Sequence, residues 1–287
     1  MKGLVKVPAT SANLGAGFDV FGIALEFFNV VEFDTKTDGW HFENEGDYSH
    51  QIKDYSLFEK VFNEFQRLTK IKIPEVKIVQ KCNIPVSRGL GSSAAVIVSA
   101  TIIANQLTGR PLEEAEMIKF AVDIEGHPDN VVPAFTGGLV VSYFNDQMLE
   151  YEVFKEIDFG ELIFAIPNFQ LSTEKMRKVL PKTVKREDAV INLKNATQFL
   201  AKISHGKYKE ALKYTLDELH QKYRINSSRK MKKFVDSILS KKPEIFFLSG
   251  SGPTVCTDIS DLDDIPYLEK IIKTKISKTG ASLELFT

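Results

Sequence analysis

The chain has 287 residues, of which 43% are apolar and 26% are charged, and its formal net charge is −1. This is an ordinary globular composition with room for one or two domains, and it offers no overall positive field for nucleic acid. The two cysteines, Cys82 and Cys256, have no metal-ligand spacing, which argues against a disulfide framework and indicates a reducing compartment. Neither a signal peptide nor an apolar stretch of the ~18 residues that span a membrane is evident. We therefore expect a soluble, cytoplasmic protein with no nucleic-acid or membrane partner.

The first half of the chain alternates between strand-like and helical patterns. Asp54 is placed to cap a helix, Gly109 stops an apolar helix, and Pro111 opens another that runs toward Glu125. A small-residue loop at 8–19 follows the first strand. The predicted strands are 3–7, 27–33, 76–79 and 138–144, and the predicted helices are 54–68, 94–103 and 111–125.

The pattern of predicted elements changes near 150–160, where helical periodicity becomes dominant. This change predicts a boundary between domains of 1–155 and 156–287. A strand at 162–166 precedes helical periodicity over 173–239, with breaks near Pro181, Gly206 and Asn226. A strand at 245–248 then leads into a second Gly-Ser loop at 249–253. A further strand, a helix over 266–276 and a terminal strand near Leu283 complete the prediction.

The most informative segment is a Gly-Ser loop that opens onto the apolar helix. Such a loop presents several backbone N–H groups in one direction, which makes an anion site, and its serine hydroxyls can bind phosphate or a metal ion. The alternative is an ordinary helix cap, since serine is a good N-cap residue. The loop consists of Pro85, Val86, Ser87, Arg88, Gly89, Leu90, Gly91, Ser92, Ser93, Ala94 and Ala95.

Three small-residue loops, 8–19, 85–95 and 249–254, each follow a strand, and such loops tend to meet at a ligand site. In sequence they resemble the three motifs of the GHMP small-molecule kinases, and the middle loop matches the P-x-x-x-G-L-G-S-S-A pattern in full. Within that family the chain most resembles the homoserine kinase branch. Matching segments run through nearly the whole chain: 7–19, 125–131, 180–193 and 219–224.

The resemblance implies a two-domain α+β fold. Its N-terminal, ATP-binding domain would be ribosomal-protein-like, with an unusual left-handed βαβ unit, and its C-terminal domain would be ferredoxin-like. It implies ATP and Mg²⁺ as cofactors, L-homoserine as substrate, direct phosphoryl transfer on the route to threonine, and a homodimer. The alternatives are a GHMP kinase for a mevalonate-type substrate, a non-catalytic ATP-binding sensor, or a structural protein with a vestigial loop.

The resemblance also implies roles for single residues. Ser93 and Glu125 would bind Mg²⁺, which suits a hydroxyl and a carboxylate; the alternative for Glu125 is a surface carboxylate in the last turn of a helix. Arg88 stands where small residues are common in the family, and could reach ATP or point away. Ala16 stands where proline is common, which should loosen the first loop slightly.

For the substrate, Arg177 and Arg224 match arginines that bind the carboxylate, a role that suits a guanidinium fork, although Arg177 could simply face solvent. Asp19, supported by Asn13, matches the carboxylate that meets the ammonium; turn formation is the alternative for both. The third loop would close over the site through Gly250 and Gly252. The hydroxyl end would be lined by the predicted catalytic residues His127, Asn130 and Asp129, with Asp129 only a candidate base, because a loose transition state needs little early deprotonation.

Overall fold

The computed structural model describes residues 1–145 and 148–286. Short 3₁₀ turns lie at Ser49–Gln51 and Leu212–Tyr214. The strands are β1 (Lys2–Ala12), β2 (Phe21–Asp34), β3 (His41–Glu45), β4 (Lys77–Lys81), β5 (Leu139–Asn145), β6 (Met148–Phe154), β7 (Leu162–Pro167), β8 (Phe246–Leu248), β9 (Val255–Thr257), β10 (Leu268–Thr274) and β11 (Ser282–Phe286). The helices are α1 (Ser56–Thr69), α2 (Ser92–Leu107), α3 (Glu114–Glu125), α4 (Pro128–Thr136), α5 (Thr173–Lys178), α6 (Arg186–Ser204), α7 (Tyr208–Ala211), α8 (Gln221–Ile225) and α9 (Arg229–Leu239).

Seven strands form the first sheet, with the order β11-β1-β2-β4-β3 and with β5 and β6 joined to β2. The strand predicted to end before Pro8 runs on to Ala12, because a register shift between Pro8 and Ala9 lets the pairing with β2 resume. The parallel strands β3 and β4, with α1 between them, make a βαβ unit. Helix α2 is buried along most of its length against this sheet.

Four antiparallel strands form the second sheet, in the order β10-β7-β9-β8. This order, with the helices inserted between β7 and β8, is ferredoxin-like. The helix predicted over 266–276 is wrong, because this segment is strand β10, in which Ile271 pairs with Ala165 and Ile272 with Phe164. The apolar residues of this segment fit both the helical repeat and the strand repeat, and pairing with β7 determines that a strand forms. The architecture is thus the expected α+β fold with two sheets.

The chain end returns to the first sheet. Strand β11 pairs antiparallel with β1, with Gly3 opposite Leu285. The predicted boundary at 155/156 falls between β6 and β7, but the first sheet is completed by a strand from the predicted second domain. Within the described residues, no helix combines the length and apolar character that crossing a membrane requires.

Candidate active site

A single cavity of about 250 Å³ lies where the three small-residue loops meet. Its wall combines loop residues, the end of α3, the start of α4, and arginines from α5 and α8. The lining side chains that the sequence singled out are Asn13, Asp19, Ser93, Glu125, His127, Asp129, Asn130, Arg177 and Arg224, together with Gly250 and most of the Gly-Ser loop.

The Gly-Ser loop places an uncapped helix start at this cavity. Helix α2 begins after Gly91, which has φ 72°, and no side chain of residues 1–145 or 148–286 caps its first turn. The interpretation of Ser92 and Ser93 as ordinary capping residues is therefore wrong. The first N–H groups of a helix have no intrahelical acceptor, so they are free to bind an anion at the positive end of the helix dipole.

Direct hydrogen bonds join the three loops. The Ser249 hydroxyl donates to the Gly89 carbonyl oxygen at 2.6 Å and lies 2.8 Å from the Ser11 hydroxyl. The Gly250 N–H donates to the Ala12 carbonyl oxygen at 3.0 Å. At Gly89, which has φ 78°, a Cβ atom would lie 2.1 Å from the Ser249 carbonyl oxygen, so only glycine allows this approach.

The first loop is held in a costly backbone conformation. Asn13, Leu14 and Asp19 have φ values of 72°, 45° and 58°, in the left-handed region that non-glycine residues seldom adopt. The Asn13 side chain supports this shape, because its Oδ1 accepts from the Asp19 N–H at 2.9 Å and its Nδ2 donates to the Gly250 carbonyl at 2.8 Å. Such strain persists where the surroundings fix it, often at functional sites.

The residues predicted to hold a metal ion are brought together. Ser93 donates its hydroxyl proton to Glu125 Oε2 at 2.8 Å, across 32 residues of sequence. Burial raises the pKa of the Glu125 carboxyl above its ordinary value, opposed by the Ser93 hydrogen bond and by Lys60. A desolvated carboxylate at the C-terminal end of a helix is well placed to accept a cation. Within the described residues no three His, Cys, Asp or Glu side chains are arranged to hold a metal ion. A pair of ligands suits Mg²⁺, which takes few protein ligands and keeps phosphate oxygens and waters.

The predicted substrate-binding charges also meet. Arg177 donates from NH2 to Asp19 Oδ1 at 2.7 Å and from NH1 to Asp19 Oδ2 at 3.0 Å. Arg224 is 2% exposed, and burial lowers its pKa to about 10. Its NH1 donates to the Gly250 carbonyl oxygen at 2.9 Å and lies 3.0 Å from His220 Nδ1. Arg177 therefore does not simply face solvent, and both guanidinium groups line the cavity.

Three residues at the start of α4, His127, Asp129 and Asn130, line the same cavity. Burial, and then the charge of Arg177, lower the pKa of the His127 imidazole. Asp129 is 4% exposed, and burial, with the nearby Asp19 carboxylate adding to the effect, raises its pKa to about 7. Asn130 accepts from the Thr10 hydroxyl through Oδ1 at 2.8 Å, which fixes the amide with its Nδ2 near Asp129 Oδ1, at 3.4 Å.

Several predicted binding residues do not face the cavity. Gly252 lies against the Met231 and Leu248 side chains. The Arg88 guanidinium turns toward the second sheet, where Nε donates to the Pro167 carbonyl oxygen at 2.9 Å and NH2 pairs with Glu269 at 3.1 Å. With its donors engaged there, Arg88 can offer a ligand little but its main chain. Four loop residues are buried and are absent from the cavity wall: Pro85, Leu90, Ala94 and Ala95.

Sequence reasoning missed one wall of the cavity. Ile52, Tyr55 and Phe58, from the turn before α1 and its first residues, line it together with Gln80 of β4. The Gln80 side chain is 3% exposed and its Nε2 atom has no hydrogen-bond partner within the described residues. The helical spacing around 54–68 predicted only a core-facing helix, and nothing in that pattern marks the residues at its start as a binding surface.

Comparisons with known proteins agree with this geometry. The family model described as the GHMP kinases N terminal domain matches residues 56–138. Homoserine kinase of Thermotoga petrophila is 58% identical over 276 residues, which cover 96% of this chain and 98% of that protein. Homoserine kinase of Clostridium beijerinckii is 39% identical, over 91% of this chain and 87% of its own.

Solved structures share the fold across almost the whole chain. A homoserine kinase from Cytophaga hutchinsonii superposes with a TM-score of 0.81 at 21% identity, covering 99% of this chain and 97% of its own. The L. major mevalonate kinase, solved with R-mevalonate, gives a TM-score of 0.73 at 14% identity, covering 96% of each chain. Similarity at these identities establishes the fold alone, whereas the 58% identity extends to the branch. The chain belongs to the homoserine kinases, a branch of the GHMP kinase family.

Proposed function

We propose that the chain transfers the γ-phosphoryl group of ATP to the side-chain hydroxyl of L-homoserine, giving ADP and O-phospho-L-homoserine with the help of Mg²⁺. One observation carries this proposal: a single cavity joins the uncapped start of α2 to two arginines and a carboxylate. The first feature suits a chain of phosphates, and the second suits an α-amino acid. The names of the relatives support the same substrate.

The nucleotide would lie between the Gly-Ser loop and the apolar wall. Ile52 and Tyr55 offer apolar and aromatic surface for a base. The free N–H groups at the start of α2 would bind phosphate oxygens. Ser93 and Glu125 would hold Mg²⁺, which when bound offsets the charge of the phosphates during transfer.

The amino acid would exchange partners with the ion pair between Asp19 and Arg177. Its carboxylate would bind Arg177 and Arg224, and its ammonium would bind Asp19, so that three charged contacts replace the one between Asp19 and Arg177. Because an α-amino acid has no net charge, this exchange leaves the net charge of the site unchanged, and it favours only a ligand that carries both charges. A mevalonate-type substrate lacks the ammonium, so a carboxylate that drew Arg177 away from Asp19 would give Asp19 no new partner in exchange.

The hydroxyl of homoserine would be oriented by Asn130 and His127. The Thr10 hydroxyl fixes the Asn130 amide, and the lowered pKa of His127 leaves its imidazole neutral near pH 7, able to accept or donate one hydrogen bond. The hydroxyl oxygen attacks the γ-phosphorus, the bond to the ADP oxygen breaks, and the hydroxyl proton leaves late. Asp129 is a candidate to receive that proton, although phosphoryl transfer of this kind does not require a strong base.

A coupled assay for ADP release tests the proposal against its rivals. We expect turnover with ATP, Mg²⁺ and L-homoserine, and none with mevalonate. Turnover with mevalonate but not homoserine would overturn the substrate, and ATP binding without any ADP release would favour a sensor. The homodimer and the cytoplasmic location remain predictions, which light scattering and cell fractionation would test.

A further inference from the structure

Arg224 is oriented by a residue outside the cavity, His220. The His220 side chain is fully buried and its Nδ1 lies 3.0 Å from Arg224 NH1. The opposite ring nitrogen, Nε2, lies 3.0 Å from the carbonyl oxygen of Gly15 in the first loop. The imidazole thus stands between the arginine and the loop that carries Asp19.

The chemistry of the two neighbours fixes the tautomer of this ring. A guanidinium can only donate, so His220 Nδ1 must be the unprotonated, accepting nitrogen. A carbonyl oxygen can only accept, so the single ring proton must be on Nε2, which donates to Gly15. Burial and the charge of Arg224 agree with a neutral ring, because they lower the pKa of His220 to about 3.

The contacts around the ring make this arrangement rigid. Phe18, from the same loop, stacks on the imidazole with 5.0 Å between ring centroids, and the Arg224 guanidinium lies 5.3 Å from the Phe18 ring. A Cβ atom at Gly15 would lie 1.9 Å from the Thr215 carbonyl oxygen, so the loop backbone is pressed against the segment before α8. The loop cannot shift without disturbing the histidine.

We infer that His220 is a positioning residue whose Nδ1 atom holds the Arg224 guanidinium in the orientation that binds the carboxylate of an α-amino acid, while the Nε2 bond to Gly15 and the stacking on Phe18 hold the ring itself. The inference rests on the proposed function, since it assigns Arg224 to the carboxylate and Asp19 to the ammonium. The Gly250 carbonyl, which accepts from the same NH1 group, holds the arginine from the other side. Without the Nδ1 acceptor, the bond to Gly250 would be the one hydrogen bond left to the guanidinium from the described part of the chain.

Two substitutions test the hydrogen bonds of the two ring nitrogens one at a time. In His220→Asn, the amide oxygen is at the distance of Nδ1 from the backbone and can accept from Arg224, but the bond to Gly15 is lost. In His220→Gln, the amide nitrogen can reach Gly15 in place of Nε2, but the acceptor for Arg224 is lost. We expect the KM for L-homoserine to rise about tenfold or more in His220→Gln, the effect of roughly one charge-assisted hydrogen bond, and to stay within about threefold in His220→Asn.

The KM for ATP should change little in either variant, because the ring does not touch the nucleotide wall. Equal rises in the homoserine KM for both variants, or a matching rise in the KM for ATP, would overturn the inference and indicate a merely structural role. A wild-type protein that does not phosphorylate homoserine would instead overturn the proposed function. In case both variants fail to fold, the ¹⁵N spectrum of histidine-labelled wild-type protein decides: we expect the His220 proton on Nε2, and a proton on Nδ1 would refute the arrangement.

Discussion

The burial of the Asp129 carboxyl predicts how the free energy of unfolding changes with pH. Its ordinary pKa is 3.8, and burial, with Asp19 nearby, raises it to about 7 in the folded chain. The folded protein therefore holds this proton more tightly than the unfolded chain does. Stability falls as pH rises from about 4, because ionising the buried group then costs folding free energy, and the full cost is reached above about pH 7.

The size of this cost follows from the pKa difference. Each pKa unit corresponds to about 1.4 kcal/mol, so the change from 3.8 to about 7 corresponds to about 4 kcal/mol. Asp129→Asn removes the ionisation and keeps the shape. Relative to wild type, we expect the variant to gain stability steadily between about pH 4 and pH 7, and to keep a constant advantage above that.

Urea unfolding of wild type and Asp129→Asn at a series of pH values measures the effect. Asp263→Asn, at an exposed position, serves as the control and should show no comparable pH-dependent difference. A difference between Asp129→Asn and wild type that does not change with pH would refute the raised pKa of Asp129.

Turnover of the same variant tests the role of Asp129 in catalysis. We expect kcat to fall by no more than about tenfold, since the transition state needs no early deprotonation. A loss of about 100-fold or more would identify Asp129 as a general base.

Two further predictions concern the phosphate end of the cavity. Glu125→Gln should raise the Mg²⁺ concentration needed for half-maximal rate by about tenfold or more, because a neutral amide binds Mg²⁺ more weakly than the carboxylate does. An unchanged Mg²⁺ titration at fixed ATP would exclude Glu125 as a ligand. Gly89→Ala should lower the melting temperature by several degrees more than Gly109→Ala does, because both glycines have left-handed φ values, 78° and 86°, but only Gly89 has a backbone atom 2.1 Å from the new Cβ. Equal melting temperatures for the two alanine variants would contradict the close contact between the loops.

Local patterns in the sequence predicted the parts of the site that are local. The Gly-Ser loop indicated an anion site because glycines and a following helix are needed wherever a backbone approaches phosphate, and the structure has that helix at Ser92–Leu107. The pairing of Ser93 with Glu125 followed from resemblance rather than from spacing. Helix α4 is absent from the predicted elements, although Pro128 stands in its first turn, where proline is favoured.

Features that depend on contacts between distant segments could not be predicted from the sequence. The Asp19–Arg177 pair joins residues 158 positions apart, and no local pattern reveals such an encounter. The orientation of Arg88 is of the same kind, because its partner Glu269 lies on β10, a strand whose sequence also suits a helix. The return of β11 to the first sheet likewise depends on the pairing with β1.

One cavity would recognise both charges of an amino acid beside the phosphates of ATP. The most direct measurement compares ADP release with L-homoserine, with 4-hydroxybutanoate, which lacks the ammonium, and with 3-aminopropan-1-ol, which lacks the carboxylate. We expect kcat/KM to fall by about 100-fold or more for each analogue, because each lacks one of the two charges that the site would pair. Comparable kcat/KM values for all three alcohols would contradict it.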